Sequence, residues 1–288
     1  MKDLLRISYK ILRSLIRIIQ RQVSPSAACK IQNLFLVILH YTAYILKNKN
    51  IKSDVRFFYE KSSKLFYAEE GSIRRYFGEM DRGFHAYERG LIRRGQSLSN
   101  SYCLQNVNFN SSDIVIDCGA NYADLFISLS NYINETNYIT FEPGPSEYNC
   151  IKKNVPKARN YNYGLSDKEG EMEFYLCSAS GDSSLVEPKN YTDIIKVNVT
   201  TLDLFVAKNN IEHCKLLKLE AEGWEPEILD GAKEFLSKCE YVAIDGGRER
   251  GVNEEATFHI LNNKLLNNGF EMIDIYGPVY RALYRKKL

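Results

Sequence analysis

The stretch Asp113-Ile114-Val115-Ile116-Asp117-Cys118-Gly119-Ala120-Asn121 constrains this chain more than any other. Ile114, Val115 and Ile116 form an unbroken apolar run, as expected of a strand covered on both faces. Asp117 then places a carboxylate at the strand's C-terminal end. Gly119 and Ala120 keep side-chain bulk out of the next turn, so a ligand can approach the backbone closely. Helical spacing over Asp124-Leu125-Phe126-Ile127-Ser128-Leu129 predicts a helix after the turn. Strand, small-residue turn and helix together make the ligand-side corner of an open α/β sheet. The next apolar strand, Tyr138-Ile139-Thr140-Phe141, ends in Glu142 and Pro143. That acid stands where both hydroxyls of a ribose can be held.

The turn also excludes something. A dinucleotide fingerprint needs three glycines so that a pyrophosphate can sit on the helix N-terminus. Gly119-Ala120-Asn121-Tyr122-Ala123 has one, and Asn121 and Tyr122 would crowd a pyrophosphate. A nucleoside cofactor without phosphates fits better, and S-adenosylmethionine is the obvious candidate. A plain strand-turn-helix in any α/β domain remains the alternative for the turn taken alone.

A second stretch, Leu216 to Ala232, reads as a strand ending in two carboxylates, Glu220 and Glu222. Strand period puts both on one side if the extended conformation continues. Gly223 permits a turn, Pro226 suits the first turn of a helix, and Gly231 suits its end. Clustered carboxylates repel one another, so they point to charge recognition, proton transfer or metal binding rather than stability. Glu225 and Glu227 read instead as a solvated acidic helix start favoured by the helix dipole.

Four blocks stand in order along the chain: Asp117-x-Gly119-Ala120-Asn121; Phe141-Glu142-Pro143; Thr201-Leu202-Asp203; and Lys218-x-Glu220-x-Glu222-Gly223-x-Glu225. Over about residues 100 to 288 the chain resembles the FkbM family of S-adenosylmethionine-dependent methyltransferases. The segment from Ala243 to Gly251 is similar to a subgroup version of the fifth strand and its loop. The resemblance implies a Rossmann-like α/β fold, mostly parallel, finished by an antiparallel hairpin. It also implies O-methylation of a hydroxyl, often on a sugar or polyketide-type product. Two departures stand out: Glu220 replaces the family's usual Asp, and Ala123 stands where Gly is common.

Composition narrows the setting. With 44% apolar and 26% charged residues the chain reads as globular. Residues 1–50 hold nine Lys or Arg and one acid, Asp3, whereas 29 basic face 35 acidic residues beyond them. The body therefore carries no nucleic-acid footprint. Seven cysteines without a Cys-x-x-Cys pair indicate neither a zinc site nor a disulfide framework, so a reducing, cytoplasmic setting is expected.

Three regions are predicted: a basic amphipathic helical segment over 1–48, a helical cap over 49–112, and a catalytic domain over 113–288. In the first, Arg6, Lys10, Arg13, Arg17 and Arg21 fall at helical steps, with Leu5, Leu12, Leu15, Ile16 and Ile19 on much of the rest. Residues 4–46 suit peripheral contact with anionic headgroups at the inner face of a membrane, or packing against the catalytic domain or a second subunit. The aromatics of 50–112 are expected mainly in the core of the cap.

These motifs define a candidate site. Asp117, Gly119, Ala120, Asn121, Glu142 and Pro143 are the cofactor residues, and Gly164 and Leu165 are expected to border the adenine. Glu220, Glu222 and Asp245 are the catalytic candidates, since a hydroxyl needs a proton acceptor; His213 and His259 are weaker ones. A divalent cation bridging carboxylates and a sugar diol is another route to the same activation, although no metal site is assigned. The expected acceptor is a sugar of a surface polysaccharide or glycolipid precursor. Two other function classes stay open: a nucleotide-sugar oxidoreductase or epimerase, and a non-catalytic membrane-associated binding module.

Overall fold

The computed structural model describes residues 13–45, 54–177 and 181–287. It divides into two compact units, Met1–Arg94 and Gly95–Leu288.

The first unit holds helices α1 (13–21) and α2 (Pro25–Ile45), then a meander of β1 (Arg56–Glu60), β2 (Leu65–Glu70) and β3 (Ile73–Phe77), then α3 (Met80–Tyr87). The three strands pair antiparallel, and Gly71 makes the β2–β3 turn at φ +60°. Residues 49–112 are thus not the helical cap expected from the sequence, because 56–77 are sheet. Phe57, Phe66, Phe77 and Phe84 stack edge and face at 4.7–6.2 Å between centroids and form this unit's own core. The α2 side chain of Asn33 completes the free edge of β1: its amide donates to the Phe57 carbonyl (2.9 Å) and its carbonyl accepts from the Phe57 amide (2.8 Å). The predicted segment 1–48 is therefore not a separate element; its described helices belong with the meander. Leu5, Arg6, Lys10 and Leu12 lie outside the described residues.

Helix α4 (Leu91–Ser101) carries the unit boundary. The second unit continues with β4 (Val115–Cys118), α5 (Leu125–Leu129), β5 (Tyr138–Phe141), α6 (Pro145–Asn154), β6 (Arg159–Tyr161), β7 (Gly164–Leu165), β8 (Gly170–Leu176) and β9 (Asp193–Thr200). Then come α7 (Leu202–Lys208), β10 (Cys214–Leu219), α8 (Glu225–Asp230), β11 (Cys239–Asp245), β12 (Arg248–Arg250), β13 (Glu255–Ala256), α9 (Phe258–Asn267), β14 (Phe270–Tyr276) and β15 (Arg281–Lys286). Seven strands form one sheet in the order β14-β15-β11-β10-β4-β5-β6. Strands β11, β10, β4, β5 and β6 pair parallel, and β15 of the antiparallel β14–β15 hairpin runs antiparallel to β11. This is the expected Rossmann-like sheet. Residues 159–165 divide between two sheets: β6 joins the main sheet, while β7 pairs with β9 in a separate three-stranded sheet completed by β8.

Every residue of β4, β5 and β11, bar Glu240, is buried, because helices cover both faces of the sheet. Thr201 caps α7 by accepting from the Leu204 amide (3.1 Å), and Asp203 accepts from the Phe235 amide (2.7 Å). The third motif block is thereby structural. From the central strand β4 the chain steps outward through β5 and β6, then returns to β10 on the other side. The order reverses between β4 and β10, where open α/β sheets bind their ligands.

Gly119 ends β4 at φ +68°, and a Cβ there would lie 1.8 Å from the Glu220 carbonyl oxygen. The obstacle is backbone, which no rotamer change relieves. Gly119→Ala should destabilise the second unit by about 3 kcal/mol, the sum of left-handed strain and overpacking. Chemical denaturation with an unchanged midpoint would refute this.

Candidate active site

Charged side chains alternate in sign along the C-terminal edge of the parallel strands. Lys218 of β10 stands in register with Asp117 of β4, and Asp245 of β11 with Arg281 of β15. The Lys218 ammonium lies 3.1 Å from Asp117 Oδ1 and 2.9 Å from Glu220 Oε2, and it donates to the carbonyls of Cys118 (3.1 Å) and Gly119 (2.8 Å). Arg281 continues the chain, with Nη2 donating to Glu220 Oε1 (2.7 Å), Nε to Asp245 Oδ2 (2.6 Å) and Nη1 to Ser101 Oγ (3.0 Å). The Tyr102 ring lies 4.6 Å from the Arg281 guanidinium and 5.8 Å from the Lys218 ammonium. Tyr138 donates its hydroxyl to Asp117 Oδ2.

Asp117, Lys218 and Asp245 are each 4% exposed or less, which is tolerable only because every charge has an opposite neighbour. Burial pushes the Asp117 carboxyl up, and Lys218 pulls it back. Burial acts on Glu220 in the same sense, but Lys218 and Arg281 outweigh it and hold that carboxyl down at about 2. Glu220 is therefore an ionised, fully engaged carboxylate and a weak proton acceptor. Asp245 is raised by burial and by Glu220, with Arg281 opposing. Three negative groups and two positive ones leave the chain one negative charge in excess.

The cofactor candidates gather around the turn after β4. Glu142, 7% exposed, accepts from the Asn121 amide at Oε2 (2.8 Å) and from the Gly144 amide at Oε1 (2.9 Å). Asn121 takes φ +53° and Ala123 φ +58° to make this turn. The Gly119 and Ala120 amides both donate to the Phe141 carbonyl (3.0 and 3.2 Å). Asn162, just past β6, props the acidic loop from behind by donating to the Glu142 (2.8 Å) and Pro143 (3.0 Å) carbonyls. Burial and the nearby Glu147 push Glu142 up to about 8, against the pull of the two amides. Gly164 and Leu165 are placed differently: both are buried in β7, with Leu165 in the main core and Gly164 backed by Val199 and Leu185.

On the other side of the β4–β10 reversal, Glu222 sits in a left-handed turn (φ +51°), its carbonyl accepting from Ser184 Oγ (2.8 Å). Glu225 is wholly buried rather than solvated, and it accepts from the Ala221 (2.7 Å) and Gly223 (3.1 Å) amides. Glu227 is paired with Arg250 (2.6 Å). The close approach of Gly223 to Arg250, whose Cα would meet a Cβ at 2.5 Å, brings the 248–250 segment beside the turn. Burial, then Glu249 and Glu220, push Glu222 well above the carboxylate range, and burial with Asp245 pushes Glu249 up to about 8. Arg248 and His259 are exposed, and His213 lies beside Glu240 (3.9 Å) ahead of β10. Among the described residues no group of three or more His, Cys, Asp or Glu is arranged to hold a metal ion.

Sequence reading names Lys218 only within a motif and misses Arg281, Tyr102, Asn162 and Glu249. One signal for Lys218 was present: a lysine flanked by Leu217 and Leu219 in an apolar strand is seldom buried without a counter-charge.

A family model described as the methyltransferase FkbM domain matches residues 117–272, which include the turn after β4, Glu142 and the Lys218–Glu225 segment. A curated relative, 2-O-methyltransferase NoeI of Sinorhizobium fredii (strain NBRC 101917 / NGR234), is 22% identical over 148 residues, 45% of this chain. The match spans 61% of that relative's length. Among solved structures, a SAM dependent methyltransferase from Aquifex aeolicus is 12% identical, with 67% of this chain and 97% of that one covered and a TM-score of 0.39. Precorrin-6y C5,15-methyltransferase from Geobacter metallireducens GS-15 is 13% identical, with 67% and 89% covered and a TM-score of 0.37.

Removing Lys218 strands a buried carboxylate. Lys218→Met should cost about 3–5 kcal/mol and lower Tm by roughly 6–20 °C. Asp117→Asn added to it should restore much of the loss. Additive losses in the double variant would show that the two charges do not interact.

Proposed function

The chain belongs to the methyltransferase FkbM domain family, and on that footing we propose that it is an S-adenosylmethionine-dependent O-methyltransferase acting on a sugar hydroxyl. Membership takes the place of the oxidoreductase and non-catalytic readings. One observation carries the finer proposal: the reversal between β4 and β10 has Glu142, holding the Asn121 and Gly144 amides, on one side, and the left-handed turn of Glu222 beside the 248–250 segment on the other.

The residues suit the cofactor. Each Glu142 oxygen holds one backbone amide and keeps a second acceptor site, which fits the two hydroxyls of a ribose. The excess negative charge of the Asp117–Asp245 chain suits a ligand bearing a sulfonium and an ammonium. When bound, S-adenosylmethionine supplies a methyl group on positively charged sulfur, open to in-line displacement.

The acceptor oxygen must be positioned and relieved of its proton. Glu220 is too acidic for that task, and its part is to fix Lys218 and Arg281. Glu222 is the better acceptor of the proton, since burial and the acidic neighbours make its carboxylate more basic. Glu249 and Asp245 converge on Gly247, whose Cβ would lie 3.0 and 3.2 Å from their oxygens. Such a carboxylate lining can accept hydrogen bonds from several hydroxyls of one sugar. The relative's designation as a 2-O-methyltransferase supports oxygen as the methylated atom. A polysaccharide or glycolipid precursor is the class of acceptor we favour.

Above about pH 8, where its carboxylate is ionised, Glu142→Ala should weaken S-adenosylhomocysteine by about 1–3 kcal/mol in calorimetry, through lost charge-assisted hydrogen bonds. In the wild type, Glu142 is protonated below about 8, so affinity should rise with pH until that value and then level off. Glu142→Gln should flatten this dependence, and a slope that persists would assign it to another group. Glu222→Gln should lower kcat by at least about 100-fold and leave cofactor affinity nearly unchanged. Full turnover in that variant would remove Glu222 as the proton acceptor. Mass spectrometry of glycans from cells with and without the protein, searched for one methyl's difference, tests the acceptor class.

A further inference from the structure

The first unit presents its N-terminal helices inside out. On α1, the side formed by Arg13, Ile16, Arg17 and Gln20 turns inward. Arg13 pairs with Glu88 (3.3 Å) and Arg21 with Asp81 (3.0 Å from Nε), so these two arginines of the predicted stripe are spent on the unit's own acids. The outward side is aliphatic: Leu15, Ile18 and Ile19 are each more than half exposed. Helix α2 repeats the arrangement, burying Ala28, Cys29, Gln32, Phe35 and Leu36 while leaving Leu34 (61%), Val37 (64%) and Ile38 (47%) in the open. Both outward sets follow the i, i+3, i+4 spacing of one helix face. Gln20 ties the two helices together by donating to Gln32 Oε1 (3.1 Å) and the Ala28 carbonyl (3.3 Å), and the turn between them leaves Val23 exposed. Two neighbouring aliphatic stripes exceed what scattered surface residues make.

Charge selects the occupant. Residues 1–94 carry nineteen Lys or Arg against eight Asp or Glu, whereas 95–288 carry nineteen against 28. An aliphatic surface on a strongly basic unit suits a layer that is apolar within and negatively charged at its face. We infer that the outward faces of α1 and α2 dock the protein onto an anionic lipid bilayer, lying in its interface. A second copy would bring two basic units together, and a nucleic acid would leave the aliphatic side chains in water. Among the described residues no helix is long and apolar enough to cross a membrane, which fits lying on the surface. Docking of this kind needs only the first unit and is independent of the proposed chemistry.

The test is flotation of the full chain with vesicles of phosphatidylcholine alone or with phosphatidylglycerol added. The wild type should float with the anionic vesicles, less so at high salt. The variant Ile18→Gln/Leu34→Gln/Val37→Gln keeps the net charge and changes only exposed positions. It should float at least about tenfold less, with circular dichroism unchanged. Equal flotation of variant and wild type overturns the inference, as does a wild type that stays with the soluble fraction. A wild-type dimer that the variant disperses, without flotation, would assign the faces to a second copy. A gel shift with RNA or DNA, again without flotation, would assign the basic unit to nucleic acid.

Discussion

The Lys218 ammonium, buried between Asp117 and Glu220, is the interaction on which the second unit's working edge depends. It is a central strand's side chain, and it faces the one place where the connections leave neighbouring strands in opposite directions. Its four partners come from β4, the turn after β4, and the end of β10. A single cation thereby fixes how far the two ligand-side turns stand apart. An apolar side chain of similar length would relieve the desolvation cost but could not hold two carbonyls and two carboxylates at once.

The same cation sorts the carboxylates into different tasks. Glu220, clasped by Lys218 and Arg281, stays ionised and fixed in place. Glu222, two residues on, has left the strand and is surrounded by other acids. A single turn of backbone thus separates a carboxyl held down by two cations from one pushed up by burial and acidic neighbours. Glu225 secures the distinction by holding the amides on both sides of Glu222.

Much of this edge was legible because it is local. The Ile114–Ile116 run, the lone glycine turn and the acid after Phe141 each lie within a few residues, so strand, turn and the place of that acid follow from short-range rules. The β14–β15 hairpin was legible through the family resemblance. The charge chain was not, since Arg281 meets Glu220 across 61 positions and Lys218 meets Asp117 across 101. Such pairs depend on sheet register, which no local pattern encodes. Glu225 misled because an acid at a helix start is usually solvated, whereas here it turns back to its own preceding loop. The β1–β3 meander was obscured by adjacent aromatics: Phe57-Phe58-Tyr59 and Leu65-Phe66-Tyr67 blur the alternation of a two-faced strand. The sequence left contact with a membrane and internal packing open for the arginines of α1, because the acids that Arg13 and Arg21 meet, Glu88 and Asp81, lie some sixty to seventy-five residues away.

The two sides of the β4–β10 reversal also differ in how they are assembled. Gly119, Asn121, Glu142 and Gly144 come from one short length of chain woven through adjacent central strands. Ser184, Glu222 and Glu249 come from three separate connections, and Ser184 rides on the link between the strands of the small side sheet. Lengthening or trimming that link alters what surrounds Glu222 while every strand of the main sheet keeps its place. Under the proposed function, the nucleoside side is thus built into the scaffold, whereas the acceptor side rests on loops that can change while the sheet stays in place.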